Sequence, residues 1–337
     1  MRPTLALLAM AALFAALGFA QGANETFYFT QPTSPADIDN MATMIRTVVD
    51  LQDISIDREH HALVARATTD KLVATEWLFH QLDRPGGTSA PAATAQYKMS
   101  GGSGDVVSVF RVAPAASVAD ITALTTAIRT VADLQRVFPY EGQKAIVARG
   151  TPEKIAAADW MVRQLLPADG ETPTTDSPAY PMEAAKPEGP GEAIRVFRMD
   201  PKATNADLTA MVTAIRTVAD LQRVFPFESG KAVILRGPSD PVAVAEWLVH
   251  EVGKPADPKA THETSLPGVT DGVVRLFFVG RETSPADLAA LATQIRTTAA
   301  ILRIFPLSQS AAVLLRGRPD QIATAELLVG RFAASVH

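Results

Sequence analysis

The 337-residue sequence has no cysteine, no excess of basic charge and only one long apolar run. Without cysteine, no disulfide can stabilise the fold, and we expect no lipid anchor after the apolar run. The formal net charge of -5 does not provide the basic face that nucleic-acid binding usually requires. Apolar residues make up 47% of the chain and charged residues 20%, as in a globular protein that is stabilised by packing.

The one long apolar run lies at the N-terminus and has the pattern of an export signal. Arg2 supplies a positive charge, residues 5–17 form the apolar run, and a small-x-small cleavage site follows. The run is shorter than the roughly 20 residues that span a bilayer. We therefore predict a signal peptide over residues 1–20, a mature chain that begins near Gln21 or Asn24, and a soluble periplasmic or secreted protein without a membrane span.

An internal repeat divides the rest of the chain into four modules. The segment AIRTVADLQRVFP occurs at residues 127–139 and again at 214–226, and looser copies begin at Ile45 and Ile295. Each module has roughly 60 residues, a size at which one hydrophobic core is only marginally stable. The repeat predicts modules over residues 24–84, 106–166, 193–253 and 273–337, and Pro/Gly-rich linkers over residues 85–105, 167–192 and 254–272. Linkers of this length favour separate beads over a stacked array.

The same order of elements is predicted in every module. An apolar strand is followed by a helix whose start has a capping residue three places before an acid, such as Ser117 before Asp120. Two strands joined by a polar turn come next, and Pro139, Pro226 and Pro306 mark the first of them as an edge strand. A second helix ends the module. The predicted fold class is α+β, with four βαββα modules, each a three-stranded sheet with both helices on one face and the other face open.

This order resembles the short N-terminal periplasmic modules of bacterial secretins, which have a KH-like fold. The residues that carry the resemblance are Ala119-Asp120-Ile121 at the first helix and AIVARGTPEKI at residues 145–155. The resemblance covers nearly all of the mature chain apart from the linkers, and it implies modules used for protein contacts in the envelope. No secretin barrel region follows the fourth module before His337, so no pore is implied. The GXXG loop of nucleic-acid-binding KH domains is absent, so no RNA function is implied.

No constellation of catalytic or metal-binding residues recurs in the modules. The six histidines are His60, His61, His80, His250, His262 and His337. None recurs in all four modules with a partner, and His60 and His61 lack a third ligand at a recognisable spacing. We therefore predict no catalytic residue, no metal site and no cofactor, and a protein that is not an enzyme.

Two arginines recur in every module. One lies in the first helix and the other at the end of the central strand: Arg46, Arg129, Arg216 and Arg296, then Arg66, Arg149, Arg236 and Arg316. A guanidinium can bind an anionic group of a partner. The favoured alternative is an ion pair inside the module with the acid that recurs in the second helix, such as Glu246. Arg129, Arg216 and Arg296 are retained as candidate partner contacts.

Three modules have a tryptophan at one fixed position of the second helix. Trp77, Trp160 and Trp247 occupy this position, and Leu327 replaces them in the fourth module. The position lies five places after the start of the apolar stripe, which turns it roughly 140° away around the helix. The tryptophans are therefore predicted to face away from their own core. They would contact a neighbouring module, a linker or a partner, or fold over the edge of their own sheet.

These observations predict an exported, non-enzymatic repeat protein that acts by protein–protein contact in the bacterial cell envelope, as a scaffold or accessory factor. Envelope proteins are the expected partners, and oligomerisation is left open. The alternative is a protein that binds peptidoglycan or another glycan through its repeated tryptophans. An enzyme is a third alternative, but it would need a deep pocket that small three-stranded modules rarely provide.

Overall fold

A computed structural model describes residues 22–84, 94–100, 104–167, 175–182, 191–254, 262–280 and 282–336. The predicted signal peptide lies outside these residues, and so do parts of all three predicted linkers. Within the described ranges, no helix is long and apolar enough to cross a membrane.

The helices and strands follow the repeat. The first module contains β1 (Ala23–Tyr28), α1 (Pro35–Val48), β2 (Ile54–Asp57), β3 (Ala62–Ala67) and α2 (Thr69–Leu82). The second contains β4 (Ala95–Lys98), β5 (Val106–Arg111), α3 (Val118–Val131), β6 (Arg136–Tyr140), β7 (Ala145–Gly150) and α4 (Pro152–Leu165). The third contains β8 (Tyr180–Met182), β9 (Glu192–Arg198), α5 (Asn205–Val218), β10 (Arg223–Phe227), β11 (Ala232–Pro238) and α6 (Ser239–Gly253). The fourth contains β12 (His262–Ser265), β13 (Val273–Phe278), α7 (Pro285–Thr298), β14 (Arg303–Leu307), β15 (Ala312–Gly317) and α8 (Pro319–Val336).

The predicted α+β class is confirmed, because the described residues form eight helices and four small antiparallel sheets. The first sheet has the strand order β1-β3-β2. The other three have the orders β4-β5-β7-β6, β8-β9-β11-β10 and β12-β13-β15-β14. The prediction of three strands is therefore right for the first module only. Segments predicted to be linkers supply an additional edge strand, β4, β8 or β12, to each later module.

Local chemistry sets where the first helix of each module begins. Ser34, Ser117, Thr204 and Ser284 each accept a hydrogen bond from the backbone N–H of the acid three residues later. At Ser117 and Thr204 the acid also accepts from the backbone N–H of the capping residue, which completes a capping box. The predicted caps are confirmed. The predicted edge prolines lie in β6, β10 and β14, each of which forms an edge of its sheet.

The described chain forms two compact units. The first extends to Arg111 and includes Gln135–Ile155, and the second contains Val112–Leu134 and continues from Ala156. The sheet of the second module therefore belongs to the first unit, whereas its helix α3 belongs to the second unit. Within each unit, neighbouring modules share a hydrophobic core, so the prediction of separate beads made from the linkers is wrong there.

Within each unit, the first helix of one module packs on the sheet of the next. In the first unit, α1 contacts β6, and Val107, Val109 and Val147 of the second sheet join the core of the first module. In the second unit, α3 contacts β10 and α5 contacts β14. We call each of these three contacts a junction.

The fourth module shows how one sheet serves two cores. Val313 and Leu315 of β15 belong to the core of their own module, whereas Leu314 and Leu276 belong to the core of the third. Alternate residues of a strand point to opposite faces of its sheet, so both faces of this sheet are covered. The prediction of an open second face is wrong for this sheet. We call the face toward the preceding module the far face.

The surfaces at the two ends of the repeat lack the apolar residues of the junctions. The junction helices bury one pair of apolar residues completely: Met44 and Val48, Ala127 and Val131, Ala214 and Val218. Helix α7 has exposed Gln294 and Thr298 at these positions. On the far face of the first sheet, Ser55 and Asp57 replace the Phe138 and Tyr140 of the second sheet. Polar outer faces of this kind are typical of the terminal repeats in stacked arrays.

Replacement of the polar end residues by their junction counterparts is expected to cause head-to-tail association. The variant Ser55→Phe, Asp57→Tyr, Gln294→Ala, Thr298→Val would carry apolar side chains on both end surfaces, and their burial between copies would favour assembly. Light scattering during size-exclusion chromatography should show a mass that increases with concentration. Variants changed at one end only are the controls and should keep the parent's mass. If the fourfold variant also keeps it, the polar residues do not limit association.

Candidate functional site

The tryptophans contact the strand that enters the next module. The ring centroids of Trp77 and Tyr97 are 5.6 Å apart, and those of Trp160 and Tyr180 are 5.4 Å apart. Both tyrosines lie in segments predicted to be linkers, in β4 and β8. Trp247 packs against the buried core of the third and fourth modules. All three tryptophans are half-buried. A linker was one of the predicted contacts, and contact with a partner protein stays a prediction.

The arginines of the first helix bind backbone carbonyls. Arg46 donates to the carbonyl of Ile54 at 2.6 Å, and Arg216 donates to that of Val224 at 2.7 Å. These carbonyls belong to edge strands β2 and β10 of the same modules, so the arginines tie helix to sheet. Arg129 also has a partner, whereas Arg296 is exposed. Partner contacts by Arg129, Arg216 and Arg296 stay a prediction.

The arginines at the ends of the central strands connect modules. Arg236 illustrates the arrangement: its Nε donates to the carboxylate of Glu192 at 2.5 Å, and its Nη1 donates to the carbonyl of Val131 at 3.3 Å. Glu192 opens β9 of the same module, and Val131 ends helix α3 of the preceding module. The last carbonyls of a helix lack intrahelical donors and carry partial negative charge, so a guanidinium satisfies them well.

The same contacts occur at the other two junctions. Arg149 donates to Asp105 at 3.0 Å and to the carbonyl of Val49 at 3.3 Å. Arg316 donates to the carboxylate of Asp271 at 3.1 Å and to the carbonyl of Val218 at 3.0 Å. The side chains of the three arginines are only 4–12% exposed. Arg66, in the first module, is exposed.

The predicted ion pair between a recurring arginine and the acid of the second helix is wrong in the third and fourth modules. Glu246 instead accepts two hydrogen bonds from Arg195, at 2.9 and 3.2 Å. Glu326 accepts one from Arg275 at 2.8 Å. The repeat identified the arginines but not their partners, because those partners belong to another module or to an opening strand.

The described histidines that lie near an acid form separate pairs. His60 lies 2.8 Å from Asp57, and His250 lies 3.2 Å from Asp176. His262 is buried in β12, not in a linker, and its Nδ1 lies 2.5 Å from the carboxylate of Glu251. Burial alone would raise the pKa of Glu251, but hydrogen bonds from Lys254 and His262 lower it below its ordinary value. In the described ranges, no cluster of three His, Cys, Asp or Glu residues could hold a metal ion.

Two junctions of the second unit have a groove beside the helix start. The larger groove has a volume of about 1000 Å³ and lies between helix α5 and the hairpin after β14. Ala206, Ala210, Phe305 and Pro306 line it. The smaller groove, of about 490 Å³, has residues of the same types at the equivalent positions: Ala119, Ala123, Phe225 and Pro226. Sequence reasoning missed these grooves, although the alanines and the Phe-Pro pair recur in the repeat.

Within each of the two units, α+β modules pack on one another. No family model and no curated protein sequence matches the chain. Among solved structures, it resembles Aeromonas hydrophila ExeD at 13% identity and a TM-score of 0.16 over 69% of this chain and 42% of that chain. It also resembles the ETEC pilotin–secretin AspS–GspD complex at 14% identity and a TM-score of 0.17 over 69% of this chain and 38% of that one. This chain therefore spans less than half the length of either.

The substitution Arg236→Ala is expected to lower the free energy of unfolding by about 2–3 kcal/mol, because it leaves the carbonyl of Val131 and the carboxylate of Glu192 without their donor. We expect a loss of stability no greater than the low end of the range for broken buried ion pairs. Arg223 still lies 3.6 Å from Glu192 and partly balances its charge. Arg66→Ala is the matched control, and it should change stability by less than about 0.5 kcal/mol because Arg66 is exposed. Urea unfolding measures both. Equal losses would contradict a junction role for Arg236.

Proposed function

We propose that this chain is an exported, non-enzymatic protein of the bacterial envelope that acts by binding other proteins. The observation that carries the proposal is the groove repeated at successive junctions, where helix start and edge strand present the same residue types. Stacked repeats commonly bind extended partners along such recurring surfaces. The resemblance of each module to the KH-like βαββα modules of secretins supports the envelope location, as does the predicted signal peptide.

The lining of the larger groove indicates what kind of partner it would accept. Met199, Met211, Val249 and Phe305 provide an apolar surface, and flexible methionines adapt to different side chains. Lys202 lies at the same groove and is exposed. An apolar side chain next to an acidic residue of a partner protein would match both features.

Glycan binding is a second candidate, and the half-buried tryptophans are the observation that favours it. A sugar stacks on an open aromatic face, however, and Trp77 and Trp160 each already lie against a tyrosine. The contacts of these rings therefore favour a structural role over a sugar-binding one.

A crosslink from the larger groove tests the protein-binding proposal. A photoreactive phenylalanine analogue at Gln309, which lines the groove, should crosslink to an envelope protein in living cells. Ala210→Trp should fill the groove and reduce this crosslink roughly tenfold, a cost of about 1.4 kcal/mol in binding. Ala290→Trp is the matched control, because Ala290 is the exposed counterpart in α7. Equal crosslinking by both tryptophan variants would count against the groove.

Co-sedimentation with purified peptidoglycan sacculi tests the glycan candidate. We expect the mature protein to stay in the supernatant, because its tryptophans are occupied by contacts within the chain. If the parent pellets, and a variant with Trp77, Trp160 and Trp247 changed to alanine does not, glycan binding replaces protein binding as the preferred function. The folded state of the variant is checked by circular dichroism.

A further inference from the structure

The outer edge of β1 has no strand beside it in the described chain, whereas the same edge is filled in every later module. There, β4 pairs with β5, β8 with β9 and β12 with β13. Strand β1 lies at the edge of its sheet and pairs with β3. The first module therefore presents an uncovered edge, whereas the equivalent edge of each later module is covered by a strand of the chain itself.

The hydrogen-bond register shows which groups of β1 face outward. Phe29 donates to the carbonyl of His61 at 3.0 Å, and this pair continues the register in which Phe27 lies opposite Leu63. Antiparallel ladders alternate, so the backbone groups of Phe27 point toward β3 and those of Asn24 and Thr26 point away from it. Asn24, Thr26 and Tyr28 are all exposed, and Tyr28 is 61% exposed.

The counterparts of Thr26 in the later modules are satisfied by the chain itself. In the third module, the N–H of Val196 donates to the hydroxyl of Ser177 at 2.8 Å, and its carbonyl accepts from the N–H of Ser177 at 3.0 Å. In the second and fourth modules, the counterparts of Thr26 lie opposite residues of the added strand: Val109 opposite Ala95, and Leu276 opposite His262. The backbone position equivalent to Thr26 is therefore paired within the chain in each of the three later modules.

The opposite edges of these sheets are protected in ways that β1 is not. Strands β6, β10 and β14 each contain a proline, which cannot donate a hydrogen bond to an added strand. On β2, the carbonyl of Ile54 is taken by Arg46. Strand β1 contains no proline, and its single acid, Glu25, is half-buried.

The predicted signal peptide contains the segment that would fill this edge in the first module. Tyr97 lies opposite Val107, ten residues later, and Val107 is the counterpart of Asn24. In the first module, the residue ten places before Asn24 is residue 14, which lies inside the predicted signal peptide over residues 1–20. Removal of the signal peptide would therefore leave the edge to a strand from outside the chain.

We propose that the outer edge of β1 binds an extended segment of a partner protein, which joins the sheet as a fourth, antiparallel strand. The chain's own edge strands indicate its chemistry: Tyr97, Tyr180 and Thr264 lie opposite the counterparts of Asn24. A hydroxyl-bearing residue suits the polar face formed by Asn24 and Thr26. Backbone hydrogen bonds supply most of the affinity in this mode of recognition. The site shares no residue with the junction grooves, and it depends on the proposed function only in that its ligand is a protein.

A peptide titration followed by NMR tests the proposal on the exported protein. The probe is a peptide with the sequence of residues 94–100, which contains β4. We expect saturable shifts of the Asn24, Thr26 and Tyr28 amides. Thr26→Pro should abolish them, because proline removes the outward N–H and leaves the ladder to β3 intact. Thr26→Val is the matched control and should bind, because valine occupies this position in the second and third modules.

A change in the peptide gives a readout that protein folding cannot affect. The N–H of Met99 donates to the carbonyl of Asp105 at 2.9 Å, so the alternation directs the N–H of Tyr97 toward β5 and that of Gln96 away from it. A peptide N-methylated at the residue equivalent to Tyr97 should therefore not bind, whereas one N-methylated at Gln96 should.

Three outcomes would overturn the proposal. One is the absence of saturable shifts, and another is binding that survives both Thr26→Pro and the Tyr97 N-methylation. The third is protection of the Asn24 and Thr26 amides from hydrogen exchange in the free protein. That would show an occupied edge, by a second copy if protection increases with concentration and by the same chain if it does not. Loss of binding in Thr26→Pro but not in Ala210→Trp would separate this site from the groove.

Discussion

The packing of one helix beneath the far face of the next sheet is the contact on which the rest of the structure depends. A module of roughly 60 residues without disulfides has little core of its own. At each junction, the last turns of the first helix bury residues such as Met44 and Val48 completely. Each sheet that is covered in this way is then packed on both faces. Stability is therefore shared between neighbours, which is the arrangement found in repeat arrays.

The recurring arginines follow from this contact. A helix that ends beneath another sheet leaves its last carbonyls away from water, and these groups need donors. Arg149, Arg236 and Arg316 supply them across the junctions, while a nearby acid balances each charge. Among the described residues, no module precedes the one that contains Arg66, and Arg66 is exposed. The same sequence position is thus a buried connector in three modules and a surface residue in the first.

The distribution of polar and apolar surface also follows from stacking. Largely buried ion pairs, such as Arg236 with Glu192, hold modules or elements together. In the described ranges, stacking leaves grooves lined by residues such as alanine, methionine, phenylalanine and proline, and it leaves the outer edge of β1 uncovered. Groove and edge are different kinds of site, since the groove selects side chains and the edge selects an extended backbone.

The sequence by itself determined the features that depend on neighbours along the chain. The caps at Ser117 and Thr204 and the edge position of Pro139 could both be predicted, because each depends on a spacing of a few residues or on a missing donor. The recurring position of the tryptophans could be read from the repeat alone. Their partners could not be named, since Tyr97 and Tyr180 lie in segments with linker-like composition.

Tertiary structure decided which surfaces are covered and by what. The added strands have only three or four residues, too few for a periodic pattern, and they exist because an opening strand stands beside them. One signal of this cover is present in the sequence. The run Ala232–Leu235 is apolar throughout, and a strand with no polar face requires cover on both sides. The cover comes from another module, and no spacing within one module encodes that contact.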